Sequence, residues 1–352
     1  MLKRSLCFLF CLFFSFSLRA ETDVVYQVFD VLEQDYIIQT NPKEIALNGL
    51  QALHDVDKNV FIKQIENNQI GLYQKDTLIK AFDLPNENAS KEVWSDFCKE
   101  ILKESSKISE KLDVLDFELP DRFAFHVFKK LDGYSNYFST FGESEEKPFK
   151  IKRQFASRVV DNILLIRALS FQKNISERIK NVVEECSKCE GIILDLRGNH
   201  GGFFDESIKV ADLFLDEGII GYTLSLENNI PEYYSASNSD IAEGKPMVVL
   251  TDGLTASAAE VLAAALSEQN RAVLIGTKTY GKGTLQDVKK MSADRTMTVT
   301  TSFLYTPSGL KIDKEGLSPF ICTGSSETCE KEDRVNQESD IARAVQFIKT
   351  GM

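Results

Sequence analysis

The chain has 352 residues, enough for two or three domains, and 43% of them are hydrophobic, enough for a substantial core. Its formal net charge is −12, and no basic block interrupts this acidic balance. The acidic net charge and the lack of a basic cluster argue against a nucleic-acid partner, because phosphate backbones are bound by clustered lysine and arginine.

The first 20 residues, MLKRSLCFLFCLFFSFSLRA, have the pattern of a secretory signal peptide. Lys3 and Arg4 precede an apolar run from Leu6 to Leu18, and Ala20 offers a small residue for cleavage. The run is short for a membrane span. We therefore expect an exported protein, periplasmic if bacterial, with no stable membrane span after cleavage; an uncleaved anchor is the alternative.

Residues 21–145 are predicted to form a mainly helical N-terminal domain. TDVVYQVFDVLEQDYII and DRFAFHVFKKLDGYSNYF carry apolar residues at helical spacing, and Asn41-Pro42 is a typical helix start. The stretch 60–115 is mixed and charged and predicts no clear element. The polar segment FGESEEKPFK at 141–150 marks the expected domain boundary.

Residues 150–325 alternate between strand and helix patterns, which predicts an α/β core with a mainly parallel sheet. The strand candidates are VVDNILLIRAL, GIILDLRGNHGG, PMVVLTDG, AVLIGTKT and TMTVTTSFLYT, and the helix candidates are NISERIKNVVEECSK, ESIKVADLFL and SAAEVLAAALSE. Residues 326–352 are expected to form a C-terminal helix or tail. Ligands in such sheets bind where strands end and helices begin, which singles out LRGNHGG at 196–202 and TDGLTASAAE at 251–260.

Five cysteines follow the predicted signal peptide, and export permits disulfides. Cys322 and Cys329 can bridge the loop CTGSSETC. Cys186 and Cys189 form a C-x-x-C motif, for which a zinc or redox site is one interpretation. A local disulfide or two free thiols is favoured, because no second such pair of cysteines or histidines accompanies the motif. Cys98 is left over if both pairs form.

Ser257 is a candidate nucleophile at the start of a predicted helix. The backbone N–H of Ala258 is one of the unpaired donors of the first helical turn. Such a donor can stabilise an oxyanion, and losing one typically costs about 10²–10³ in rate. The glycine pair Gly201-Gly202 can supply a second donor, because no side chain blocks close approach. A serine at this position is more often a simple N-cap, so the hypothesis needs a base.

Histidine is one possible base. His126 lies on an apolar helix face and His54 at a helix end, which favours structural or solvated roles. Asp195, His200 and Ser257 would form a triad only if His200 folded back on its own strand, since Asp195 is five residues away on the same corner. Lysine is therefore the favoured base.

The segment GTKTYGKGT at 276–284 carries the candidate lysine, Lys282. It resembles the start of a phosphate-binding P-loop, but Gly283 stands where serine or threonine is required, and a strand pattern follows instead of a helix. To act as a base, Lys282 needs its pKa lowered by burial from about 10.4 to about 7, which costs about 4.6 kcal/mol. Tyr280 offers apolar surface, and a solvated loop lysine is the alternative.

The stretch TDGLTASAAEVLAAALSEQNRAVLIGTKTYGKGTLQ strongly resembles the core of the C-terminal processing peptidases, also called tail-specific proteases. Their catalytic serine and lysine match Ser257 and Lys282, which lie 25 residues apart. GIILDLRGNHGG resembles the family's L-D-L-R-x-N-P-G-G turn, associated with its oxyanion hole, and FLYTPSGLKIDKEGLSPFI resembles a third family segment. The resemblance covers about residues 162–321 and implies a crotonase-like α/β core.

This resemblance implies an exported serine endopeptidase that needs neither a cofactor nor a metal. Ser257 would attack the peptide carbonyl, neutral Lys282 would take its proton, and Gln286 would orient the lysine. Some family members use an acid that maps to Glu268 instead. The oxyanion hole would combine the donors named above, Ala258 with Gly201 or Gly202.

Two features depart from the family. Only about 20 residues separate the segment LDGYSNYF from the first core strand, where the family has a PDZ domain, and His200 stands where proline is usual. We expect an extended or unfolded polypeptide substrate, cut near its C-terminus in one version of the hypothesis and bound by strand addition. A catalytically inactive peptide-binding or scaffolding homologue is the alternative, and an acyl-CoA enzyme on the same core is a weaker one. A homo-oligomer or a regulatory partner stays open.

Overall fold

The computed structural model of the chain describes residues 23–66, 68–140, 154–226, 229–237 and 239–351. The predicted signal peptide and the predicted connector at 141–150 lie outside these ranges. Within them, no helix combines the length and the apolar character needed to cross a membrane. The chain forms two compact units, the first with residues up to 147 and 286–301, the second with 148–285 and 302–352. The domain limits given above stay a prediction.

The first unit is mainly helical, as predicted. Its helices are α1 (Val24–Gln34), α2 (Pro42–Leu50), α3 (Ala52–Val56), α4 (Lys91–Ser106), α5 (Glu110–Val114) and α6 (Leu119–Phe128). Helix α2 begins where the sequence indicates: Asn41 accepts a hydrogen bond from the N–H of Lys43, and Pro42 lies in the first turn. The apolar faces of these helices enclose one core that includes the fully buried Trp94 and Phe123.

A three-stranded antiparallel sheet also belongs to the first unit, in the stretch where the sequence predicted no element. Its strands are β1 (Val60–Glu66), β2 (Gln69–Gln74) and β3 (Thr77–Asp83), in the order β1-β2-β3. Only β2 is buried along its middle, at Ile70 and Leu72. The outer strands are mostly exposed, so their polar residues conceal the alternating pattern that marks a strand. In the same unit, β4 (Asn136–Ser139) pairs with residues 295–298.

The second unit contains the remaining elements. In chain order they are β5 (Phe155–Val160), β6 (Ile163–Ala168), α7 (Ile175–Glu185), β7 (Gly191–Asp195), α8 (Phe204–Asp212), β8 (Ile219–Ser225), β9 (Pro231–Ser235), β10 (Met247–Thr251), α9 (Ala258–Glu268), β11 (Val273–Gly276), β12 (Thr284–Lys290), β13 (Arg295–Tyr305), β14 (Ile321–Cys322) and α10 (Glu338–Thr350). Strand β12 ends in the first unit, and strand β13 begins there. A six-stranded sheet runs in the order β14-β11-β10-β7-β6-β5. Every neighbouring pair in it is parallel except β5 with β6. The predicted α/β class, with a mainly helical N-terminal region, is confirmed.

One predicted strand is in fact a hairpin. The segment VVDNILLIRAL was expected to form a single strand, but β5 and β6 meet at a two-residue turn. Asp161 and Asn162 form this turn with φ values of 53° and 61°. Such a turn suits a hairpin because both central residues take left-handed backbone, which aspartate and asparagine tolerate better than most residues.

The parallel sheet is covered on both faces, which explains its continuous apolar strands. On one face, Leu194 and Val249 lie in the core formed with α7, α8 and α9. On the other face, Ile193 and Val248 pack with residues of α10. Helix α9 is buried almost all around, so its many alanines allow the close approach of neighbouring elements.

The cysteines form two disulfides, Cys186–Cys189 and Cys322–Cys329. The local bridge favoured for the C-x-x-C motif is therefore present, and so is the bridge across CTGSSETC. Cys98 remains a free thiol, and its complete burial raises the pKa of the thiol.

Helix α9 is buried almost all around, so shortening one of its side chains should cost stability. We predict that Leu262→Ala, at a position without solvent exposure, lowers the free energy of unfolding by about 2–5 kcal/mol. Leu226→Ala makes the same chemical change at a side chain that is 45% exposed, and its effect should stay within about 0.5 kcal/mol. Chemical denaturation measures both; equal losses would contradict the packing described here.

Candidate active site

Ser257 occupies a sharp turn between strand β10 and helix α9. Its backbone has φ 58° and ψ −125°, in the left-handed half of conformational space that residues other than glycine rarely adopt. Holding such a conformation costs about 1–3 kcal/mol and is typical of functional sites. Among residues 255–260, Ser257 alone is not buried. The turn therefore presents this one residue at the surface of an otherwise closed segment, as a nucleophile elbow does.

The loop before Ser257 is tied to the turn that follows strand β7. The buried Asp252 accepts a hydrogen bond from the N–H of Gly198 at 3.0 Å, and the N–H of Thr255 donates to the same carboxylate oxygen at 3.0 Å. One residue further, the N–H of Ala256 donates to the carbonyl of Asn199 at 2.9 Å. These bonds bring the two strand ends singled out from the sequence to one place.

The glycine turn passes directly beside Ser257. Gly201 has a φ of 95°, and a Cβ at this position would lie 3.0 Å from the Cβ of Ser257 and 3.3 Å from the backbone nitrogen of Ala258. Its own N–H donates to the side-chain oxygen of Asn199 at 2.8 Å. The N–H groups of Ala258 and Gly202 have no acceptor among the described residues. Both are therefore available to a ligand.

Glu260, which sequence reasoning missed, joins the serine turn to the lysine loop. Its side chain is fully buried, and one carboxylate oxygen, Oε2, accepts the N–H of Ser257 at 2.8 Å and the N–H of Lys282 at 2.9 Å. These two nitrogens are consequently at most about 6 Å apart. The signal for Glu260 was present in the sequence, because Ser257-x-x-Glu260 is the capping-box pattern.

The other oxygen of this carboxylate, Oε1, holds the residues just before Lys282. It accepts the hydroxyl of Thr279 at 2.5 Å and the N–H of Gly281 at 2.7 Å. Burial raises the pKa of Glu260, while these four hydrogen bonds favour the charged form and oppose that shift. The net effect is a raised pKa.

Lys282 lies in a loop against which another segment of the chain packs closely. Gly281 has a φ of 83°, and its carbonyl accepts the N–H of Lys314 at 2.8 Å. A Cβ on Gly283 would lie only 1.9 Å from the backbone nitrogen of Asp313. The segment FLYTPSGLKIDKEGLSPFI therefore covers the loop that carries Lys282. The glycines on either side of Lys282 allow this segment to approach closely. Lys282 itself is half-buried.

The lysine loop is followed by strand β12. A P-loop requires a helix here, so the phosphate-binding interpretation is wrong. The ring of Tyr280 is 46% exposed, which means that it covers the lysine loop only in part.

Comparison with known proteins identifies this arrangement. Residues 162–322 match the sequence model of peptidase family S41. This part of the chain, less than half of its length, is similar to peptidase family S41. The matched residues contain the glycine turn, Ser257, Glu260 and Lys282.

Curated relatives and a solved structure agree with this assignment. The carboxy-terminal-processing protease of Bartonella bacilliformis is 34% identical over 170 residues, which is 47% of this chain and 39% of that protein. The carboxy-terminal processing protease CtpA of Bacillus subtilis is 36% identical over 163 residues, 46% of this chain and 35% of that protein. This chain thus spans less than half the length of these relatives. A lipoprotein structure from Streptococcus agalactiae, 15% identical, aligns with a TM-score of 0.51 over 90% of this chain and 99% of its own, which shows a shared fold.

Two further candidates lie elsewhere in the structure. Glu268 ends helix α9 and accepts the N–H of Ser308 at 2.7 Å. It lies roughly 16 Å along the helix axis from Ser257, so it is not an acid beside this serine. Gln286 is in strand β12, and its side-chain amide donates to the hydroxyl of Thr300 at 3.3 Å. Its predicted role toward Lys282 stays a prediction.

In the alternative triad of Asp195, His200 and Ser257, the acid is engaged elsewhere. Both carboxylate oxygens of Asp195 accept hydrogen bonds from the guanidinium of Arg197, each at 2.8 Å, and both side chains are buried. His200 is exposed. His126 contacts Asp55, with 3.0 Å between its Nε2 and the carboxylate, and burial lowers the pKa of this histidine. Asp195 is therefore engaged by Arg197 rather than by His200, and His126 pairs with Asp55.

The raised pKa of Glu260 predicts how stability varies with pH. The folded protein keeps this proton at pH values where the unfolded chain, with an ordinary value of 4.5, has lost it. The resulting stabilisation is fully present below that value and is lost as pH rises through the raised pKa. Glu260→Gln does not titrate, so the unfolding free energy of the wild type, minus that of the variant, should fall as pH rises above 4.5.

The same variant has a cost at every pH. Its amide nitrogen faces two donors, and each donor left unsatisfied costs about 1–3 kcal/mol. The exposed Glu243→Gln controls for the change in charge. A stability difference between wild type and Glu260→Gln that grows with pH would contradict the assignment.

Proposed function

We propose that the protein is an exported serine endopeptidase that cleaves extended or unfolded polypeptides, with Ser257 as nucleophile and Lys282 as general base. One observation carries the proposal: the backbone N–H groups of Ser257 and Lys282 bind the same carboxylate oxygen of Glu260. Two residues 25 positions apart are thereby held as neighbours. A serine nucleophile needs such an adjacent base.

In the proposed reaction, the hydroxyl of Ser257 attacks the peptide carbonyl while the neutral amine of Lys282 takes the hydroxyl proton. Lys282 then delivers this proton to the leaving amine, and water hydrolyses the acyl-enzyme with the lysine again as base. The strained backbone of Ser257 supports this role, because it fixes the direction of the side chain before substrate arrives.

The oxyanion is assigned to the N–H groups of Ala258 and Gly202. The sequence left Gly201 and Gly202 as alternatives. Gly202 is preferred because the N–H of Gly201 already donates to Asn199. Backbone donors fixed in this way need no rearrangement when charge develops on the substrate oxygen.

Export is proposed from the signal-peptide pattern. The two disulfides support it, because such bonds persist in oxidising compartments. An extended polypeptide is proposed as substrate because it can add as a strand beside the turn that carries Ser257. Cleavage near a C-terminus, which the printed names of the relatives describe for those proteins, is part of the proposal for this chain.

Substitution of the two catalytic candidates tests the chemistry. Ser257→Ala and Lys282→Ala should each abolish cleavage of an unstructured protein such as casein, because one removes the nucleophile and the other the base. Lys282→Arg should also be inactive, since a guanidinium keeps its proton at all ordinary pH values. His200→Ala is the matched control and should retain most of the activity. Initial rates of peptide release measure all four.

Two results would contradict the proposal. Activity that survives Lys282→Ala and disappears in His200→Ala would make histidine the base. Absence of both cleavage and labelling by a serine-reactive fluorophosphonate in the wild type would favour the inactive peptide-binding homologue. Labelling of the wild type that is lost in Ser257→Ala identifies Ser257 as the reactive serine.

A further inference from the structure

A segment beyond the family match crosses the loop that leads to Ser257. We call residues 329–337 the strap; they follow residue 322, where the match to family S41 ends. The N–H of Gly253 donates to the carbonyl of Glu332 at 2.7 Å, and the N–H of Arg334 donates to the carboxylate of Asp252 at 3.1 Å. A Cβ on Gly253 would lie 2.8 Å from the backbone nitrogen of Glu332, so the two backbones are in direct contact.

The strap also holds the loop that leads to Lys282. The ammonium of Lys331 donates to the carbonyl of Tyr280 at 2.7 Å, and the hydroxyl of Thr277 donates to the carbonyl of Glu332 at 3.2 Å. One short segment therefore contacts both loops that carry the proposed catalytic pair.

The far end of the strap is anchored by buried charges. The guanidinium of Arg197 donates to the carbonyls of Arg334 and Gln337, at 3.1 and 2.7 Å, and to the carboxylate of Asp340 at 3.1 Å. Arg197 also holds Asp195, at the end of the strand that leads to the glycine turn. Through Arg197, the strap is thus also connected to the strand that leads to the glycine turn.

The near end of the strap is anchored by the disulfide Cys322–Cys329. Between strand β14 and helix α10 the chain has neither helix nor strand. The backbone N–H and the hydroxyl of Ser325 add two bonds to the carboxylate of Glu332, at 2.8 and 2.7 Å. Ordering this irregular segment costs about 1–2 kcal/mol of backbone entropy per residue, and the disulfide offsets part of that cost by restricting the segment before it packs.

We propose that the strap positions the serine and lysine loops, and that the Cys322–Cys329 disulfide makes activity depend on the oxidised state of the protein. The activity part rests on the proposed function. Cys322 is exposed, so a dithiol can reach this bridge. A dithiol supplies two electrons and two protons, leaves two cysteine thiols and becomes a disulfide itself; a disulfide oxidant reverses the exchange.

The two disulfides provide a matched pair of variants. Cys322→Ser with Cys329→Ser should lower kcat by about tenfold or more, because small displacements of catalytic groups cost large factors in rate. KM should change little, and dithiothreitol should have no further effect. Cys186→Ser with Cys189→Ser should keep the wild-type kcat and lose it on addition of dithiothreitol, as the wild type does. The loss of kcat when dithiothreitol is added to wild-type protein that has already folded reports on the position of the catalytic groups, because that protein folded with the bridge in place.

Hydrogen exchange tests the strap independently of activity. Removing the Cys322–Cys329 bridge should speed amide exchange in peptides covering 252–258 and 276–282, and removing the other bridge should not. Unchanged exchange there, or full kcat in the Cys322→Ser, Cys329→Ser variant, would overturn the proposal. A wild type that neither cleaves polypeptide nor labels with a fluorophosphonate would overturn the proposed function, while the exchange result would still decide the role of the strap.

Discussion

The carboxylate of Glu260 is the interaction on which the arrangement of the site depends. It is buried in the first turn of helix α9 and receives four hydrogen bonds, two from the serine and lysine backbones and two from residues just before the lysine. A buried carboxyl without partners would be strongly destabilising. With four donors it becomes a fixed joint between helix α9 and the loop that carries Lys282.

Close backbone contact explains the glycines around this joint. Gly201 lets the turn after strand β7 approach Ser257, and Gly281 and Gly283 let residues 312–316 cover the lysine loop. The three motifs that carry the sequence resemblance are therefore parts of one packed structure. Each motif contributes backbone that approaches another motif too closely for a side chain to intervene.

Sequence reasoning predicted the parallel core, because long apolar strands and a buried helix leave strong periodic signals. The choice of Ser257 and Lys282 rested on the family resemblance, and their roles stay a proposal. Sequence reasoning missed the hairpin turn at Asp161-Asn162 and the sheet over residues 60–83, where exposed strands carry little hydrophobic pattern. It also left Gly201 and Gly202 as alternatives. That choice depends on which N–H the side chain of Asn199 accepts, a long-range placement that no local pattern encodes.

The left-handed backbone of Ser257 restricts which residues can replace it in evolution. Threonine carries the same hydroxyl, but its branched Cβ is a severe steric outlier at positive φ. A threonine peptidase therefore cannot arise at this position by one substitution without rebuilding the turn. Glycine fits this backbone more readily because it has no Cβ, so glycine, rather than threonine, is the expected replacement at this position.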